Sequence, residues 1–151
     1  MKIKILLACL TCIISFRALA QNTDDVSQVR EVLEKYKSSI EALDTTGTGN
    51  LFVPKSIVIE MGKVEGRYQD YLANHLGPEL HHFTSFKFSN YVADIVVDLP
   101  YAFATETYNY TIVLEKDASV VERRSAATTI LKKVDGEWKI WQTHTSSRRP
   151  Q

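Results

Sequence analysis

Residues 137–150, "EWKIWQTHTSSRRP", alternate in a way that marks a β-strand. Trp138, Ile140, Gln142, His144 and Ser146 would project from one face, and Lys139, Trp141, Thr143 and Thr145 from the other. The first face passes from apolar to polar, as the floor of a pocket does toward its mouth, and His144 would stand at that mouth. The Asp135-Gly136 pair just before it is a hairpin turn, so the preceding β-branched run is the partner strand.

Two registers of that hairpin follow from its loop length. A two-residue loop sets Ala127 opposite His144, and Arg123, Ser125, Ala127 and Thr129 then share its face. A three-residue loop with Gly136 left-handed sets Ala126 there, and Arg124, Ala126, Thr128 and Ile130 share it. Either way an alanine facing the imidazole leaves open space above it.

Working outward, strand texture fills about 83–98, 101–115, 119–133 and 137–147, separated by "DLPY", "EKDA" and "KVDGE". Before it come a short β-branched segment, "SIVIEMG" (56–62), and a helical one, "RYQDYLANHL" (67–76), which Pro78 is expected to end. Earlier still, residues 24–43 place Val26, Val29, Val32, Leu33, Tyr36, Ile40 and Leu43 at three- and four-residue spacings, one apolar stripe on a helix. Helices first and long antiparallel strands afterwards predict an α+β fold, a curved sheet with helices segregated onto one face.

The first twenty residues stand apart. Lys2 and Lys4, the apolar "ILLACLTCIISF" and the small-residue "ALA" ending at Ala20 read as a signal peptide, giving an exported chain 21–151 folded as a single domain. Cys9 and Cys12 both lie in the signal, so the processed chain is expected to hold no disulfide. Lipidation at Cys9 would need a longer apolar run than the one that precedes it. Removing the signal takes away three basic residues and no acidic one, leaving 15 basic against 18 acidic side chains. That balance argues against a nucleic-acid partner, and the lack of a second long apolar run argues against a membrane partner.

The element order, closing on Asp135, Gly136, Trp138, Lys139, Ile140, His144 and Ser146, resembles the nuclear transport factor 2-like superfamily and, within it, the SnoaL-like and ketosteroid-isomerase-like proteins. That group often ends in Asp-Gly-x-Trp-Lys-Ile-x-x-x-His-x-Ser. The resemblance implies a cone-shaped roll, as in cystatin-like folds, with the N-terminal helices packed on the concave face of a mostly antiparallel sheet. It also implies a cavity, commonly a homodimer joined sheet to sheet, and a bacterial periplasmic or secreted setting. It favours the register that groups Arg124 and Thr128 with His144. Relatives include isomerases, cyclases, dehydratases and proteins without catalysis, so fold leaves function open. Many carry a second histidine where this chain has Gln142.

The candidate pocket residues are accordingly His144, Gln142, Thr128, Arg124, Tyr108, Tyr110 and Tyr71, and the candidate proton-transfer residues are His144 and Glu106. An imidazole with a pKa near ~6.5 exchanges protons at neutral pH. On "YAFATETYNYTIVL" (101–114), Ala102, Ala104, Glu106, Tyr108, Tyr110 and Ile112 share a face, and a carboxylate among aromatics can serve as an acid or base if that face is concave. Glu60 is a further carboxylate for an isomerase-type mechanism. Tyr71 and His75, four apart on a helix, share a face. His81 and His82 point apart on an extended chain, no compact histidine pair exists, and no cysteine follows the signal. No metal and no cofactor are therefore expected. Three roles remain: a binder of a small, partly apolar molecule; a cofactor-independent isomerase, dehydratase or cyclase; or a dimeric interaction module.

Overall fold

The computed structural model of the chain describes residues 23–150. The signal-peptide and Cys9 readings lie outside them.

The Asp135-Gly136 turn is a two-residue loop with both residues at positive φ, 52° and 86°. Val134 pairs with Glu137 directly across it. It joins strands Val120–Val134 and Glu137–Arg148, here β5 and β6, in a six-stranded sheet that also contains β1 (Phe52–Glu60), β2 (Lys63–Gly66), β3 (Phe83–Asp98) and β4 (Tyr101–Leu114). The order across the sheet is β2-β1-β6-β5-β4-β3. β1 and β6 are parallel, and the other neighbours are antiparallel.

Helix α1 (23–41) lies along the concave face and buries Val29, Leu33 and Ile40. Leu43 at φ 54° and Gly47 at φ 77° turn the chain away after it. Beneath its first half the sheet offers Ala93, Ala102 and Ala104, small side chains that let the helix approach closely. Three polar side chains tie the helix down. Asp25 accepts hydrogen bonds from Lys133 Nζ and, at 2.9 Å, from Trp138 Nε1. Arg30 donates to the Ala93 carbonyl at 3.3 Å, and Glu41 accepts from the Phe88 amide at 2.9 Å.

A second helical segment runs from Tyr68 to Leu80. An α-turn, α2 (Tyr68–Tyr71), is followed by a wide π-turn (Leu72–Leu76) and a second α-turn, α3 (Gly77–Leu80). Pro78 therefore does not end the helix as its ring normally would. The widened turn precedes it, and Pro78 falls in the first turn of α3, where a missing N–H costs nothing. Tyr68 stacks on Phe52 at 3.6 Å between ring centroids, and its hydroxyl donates to Thr48 at 2.8 Å. These aromatics close one end of the sheet. Among the described residues, no helix is long and apolar enough to cross a membrane.

Asp25 is 1% exposed, so its charge depends on its two donors. Burial alone would raise its pKa, but the hydrogen bonds from Lys133 and Trp138, with the lysine's charge, hold it below the usual 3.8. The folded value is depressed, so this contribution to stability is present above pH 3.8 and is lost as pH falls through the folded value. Asp25→Ala is expected to cost about 3–5 kcal/mol in urea unfolding, the scale for breaking a buried pair. The variant should also lack the part of the wild-type stability loss that acid brings below pH 3.8.

Candidate functional site

The hairpin does not keep a simple alternation along β6. Leu131 pairs with Ile140, but Ile130 pairs with Gln142, so Trp141 is an extra residue, a β-bulge. Before the bulge Trp138 and Ile140 point inward, at 4% and 1% exposure. After it Thr143, Thr145 and Ser147 take the inward positions. His144 is thereby turned to the outer face and exposed, with Thr128 as its ladder partner.

This corrects the expectation for four residues. His144, Gln142, Thr128 and Arg124 lie on the outer side of the sheet: the bulge inverts the β6 residues that follow it, and the two-residue loop gives the inward face of β5 to Ser125, Ala127 and Thr129 instead of Arg124 and Thr128. Neither expected partner of His144 is found: the loop has two residues, and the bulge then shifts the pairing by one. The inward face of β5 carries Ser125, Ala127, Thr129 and Leu131, all buried. Arg124 borders a broad open hollow of about 1000 Å³ at the end of the sheet, with Arg123 and Arg148.

The inward face of β4 is Ala102, Ala104, Glu106, Tyr108, Tyr110 and Ile112. Beyond the alanines the space under the second half of α1 is unfilled. The larger chamber, about 140 Å³, is lined among others by Tyr36, Glu60, Tyr71, Phe88, Tyr108 and Ser125, with Tyr110 also in its wall. A smaller one of about 60 Å³ adjoins it, sharing Tyr36, Ile40, Phe88, Tyr108 and Thr145, and reaches Glu106, Tyr91 and Thr129.

Glu106 is 8% exposed and fully engaged. Its Oε2 accepts from the Tyr91 hydroxyl at 2.6 Å and its Oε1 from Thr129 at 2.7 Å, while Thr129 and Thr143 hydroxyls lie 3.2 Å apart. Burial, and after it the Glu106 charge, push the phenols of Tyr91 and Tyr108 well above the usual range. Nearer the mouth, Tyr71 donates to Glu60 Oε2 at 2.9 Å. Burial, then its neighbours Tyr36 and Glu60, raise that phenol too. His75 packs on Tyr71 with ring centroids 5.2 Å apart, and its nitrogens lie 3.5–3.6 Å from Glu60, Glu65 and Glu79. Burial and the Glu60 charge raise the Glu79 carboxyl. Among the described residues, no group of three or more His, Cys, Asp or Glu side chains is arranged to hold a metal ion. Ser125 Oγ, in the wall of the larger chamber, is buried without a hydrogen-bond partner.

Tyr91, Thr129 and Ser125 were not among the sequence candidates. Ser125 was visible only through the two-residue-loop register, and Tyr91 lies within the ladder irregularity between Ser89 and Val92.

The cone of curved sheet over helices is the fold of the nuclear transport factor 2-like proteins. The chain belongs to the SnoaL-like domain family, whose model matches residues 29–150. Among solved structures it is similar to a nuclear transport factor 2-like superfamily protein from Salmonella enterica, with TM-score 0.73 and 19% identity over 82% of this chain and 91% of that one. It is also similar to a putative dehydratase of the same fold from Streptomyces avermitilis, with TM-score 0.74 and 18% identity over 85% and 99%. A ketosteroid isomerase-like protein from Erwinia carotovora aligns with TM-score 0.68 and 14% identity over 82% and 96%. No protein of curated function matches the sequence.

Two substitutions separate the inner face from the outer. Thr129→Val removes a donor from a buried carboxylate and is expected to cost about 1–3 kcal/mol. His144→Ala, at an exposed position, is expected to stay within about 0.5 kcal/mol of wild type. Paired urea titrations measure both.

Proposed function

We propose that this protein is an exported domain that binds a small, partly apolar molecule in the cavity under α1. The observation that carries the reading is an unfilled, aromatic-lined space whose one buried hydroxyl without a partner, that of Ser125, is in its wall. Such an oxygen is normally paired, and a ligand would pair it. The size fits a modest guest: a cavity of about 150 Å³ holds benzene. A four-ring steroid would demand expansion. Native mass spectrometry of the protein, purified gently from its own compartment, is expected to find one small molecule per chain. Ser125→Leu, which fills the wall, should abolish that added mass. Wild-type protein that is always empty and takes up no small apolar probe would overturn the reading. The intact mass should begin at Gln21 if the signal is cleaved as read.

A second reading, a cofactor-independent isomerase, dehydratase or cyclase, is favoured by the two carboxylate–phenol pairs, Glu106 with Tyr91 and Glu60 with Tyr71. Similar structures described as a putative dehydratase and as ketosteroid isomerase-like motivate it. Here Glu106 or Glu60 would move the proton, since His144 does not face the cavity. Turnover of any substrate that survives in a Glu60→Gln, Glu106→Gln double variant would end this reading.

The outer sheet face suits a homodimer. Val92, Val96, Phe103 and Trp141 are 61%, 59%, 45% and 41% exposed there, and a patch of this kind marks an interface more often than bare surface. In such a dimer His144, Gln142 and Thr128 would serve the interface. Light scattering is expected to give twice the chain mass for wild type and one chain mass for a Phe103→Asp, Trp141→Asp variant.

A further inference from the structure

We infer that the cavity takes a small organic ammonium ion, a protonated primary or secondary amine carrying about one ring or a short chain, held by aromatic faces together with Glu60, Glu79 and Ser125. This rests on the ligand-binding reading above.

The first argument is charge. Glu60 and Glu79 line the larger chamber and Glu106 the smaller, while no lysine or arginine lines the larger. Lys37 reaches the smaller chamber but is bridged to Glu34 at 2.9 Å. Arg123, two residues from Ser125, donates to the Glu122 carbonyl at 2.9 Å. His75 is one imidazole shared among Glu60, Glu65 and Glu79, so even when protonated it cannot balance the three; Glu65 also has Lys63 at 2.9 Å. Carboxylates thus outnumber basic side chains in the walls of the two chambers, and the arginines Arg123, Arg124 and Arg148 line the open hollow that shares Tyr108, Tyr110 and Ser125 with the larger one. At Glu79, Tyr91 and Tyr108 a neighbouring carboxylate adds to the upward shift that burial causes.

The second argument is the lining. Tyr36, Tyr71, Phe86, Phe88, Tyr108 and Tyr110 surround the larger chamber, and ring faces attract a cation within about 6 Å. An anion would meet carboxylates, and a neutral ring would gain from burial alone.

The third argument is Ser125, 6% exposed, whose oxygen can accept from an ammonium N–H. That acceptor favours an amine with a hydrogen to give over a quaternary one. The volume of about 140 Å³ limits the rest to roughly one ring.

The test compares benzylammonium, benzyl alcohol and benzoate, nearly equal in shape and different in charge, by NMR titration of the purified wild-type protein at neutral pH and two salt concentrations. Benzylammonium is expected to bind at least about tenfold tighter than benzyl alcohol, with benzoate weakest and the preference falling with salt. Glu60→Gln should remove most of the preference and leave benzyl alcohol unchanged; if that variant does not fold, the wild-type series alone decides. Benzyl alcohol binding as tightly as benzylammonium overturns the inference and leaves the ligand-binding reading standing. Failure of all three to shift the Tyr36 and Phe88 resonances overturns both.

Discussion

The contact of Asp25 with Lys133 and Trp138 sets where α1 lies, and the rest of the interior follows from that placement. A helix on a curved sheet can slide or rotate along an apolar stripe at little cost, because hydrophobic contact has no direction. A buried carboxylate with two required donors does have one. Arg30 on Ala93 and Glu41 on Phe88 repeat the constraint along the helix, so about 24 Å of axis separates the first and last anchors at 1.5 Å per residue. With both ends held, the helix cannot sink into the wider half of the cone. The cavity survives because collapse there would break polar contacts made elsewhere.

What the helix meets changes along its length. Ala102 and Ala104 receive its first half with no room to spare, and Glu106, Tyr108 and Tyr110 stand under its second half. The same strand thus builds close packing at one end and a lined space at the other by side-chain size alone. The bulge at Trp141 completes the arrangement from the neighbouring side. By adding one residue it swaps Gln142, His144 and Ser146 for Thr143, Thr145 and Ser147 on the inner face. The inner wall gains short hydroxyls, one of which joins the Glu106 network through Thr129, and the outer face gains an imidazole beside the exposed indole of Trp141.

The α+β architecture, the helical stripe on α1 and the four long strands were legible because each is written in a period that many residues share. The grouping of Ala102, Ala104, Glu106, Tyr108, Tyr110 and Ile112 on one face of β4 was legible for the same reason, and the structure turns that face inward. The direction of β6 was not. Beyond Ile140 its two faces read Thr143, Thr145, Ser147 and Gln142, His144, Ser146, both polar, so no hydrophobic phase distinguishes them. Ile140 and Trp141 fall on opposite faces by ordinary alternation, so the bulge shows only in the pairing that follows them. Asp25 was similarly hidden. It stands four residues before Val29 and eight before Leu33, on the buried stripe itself, and an acid on that stripe announces a buried partner.

The two carboxylates of the interior are not equivalent, and the difference bears on what the cavity can do. Both oxygens of Glu106 accept hydrogen bonds from fixed side chains, 2.6 and 2.7 Å away, deep under α1. Those two hydrogen bonds hold three strands together, β3 through Tyr91, β4 through Glu106 and β5 through Thr129. Glu60 has one phenol and a shared imidazole, and its side chain is 29% exposed. It can exchange a partner for a ligand without dismantling the sheet. Glu106 therefore shapes the space and sets its potential, and Glu60, with Tyr71 and Ser125 in the same wall, is the group free to meet what enters it.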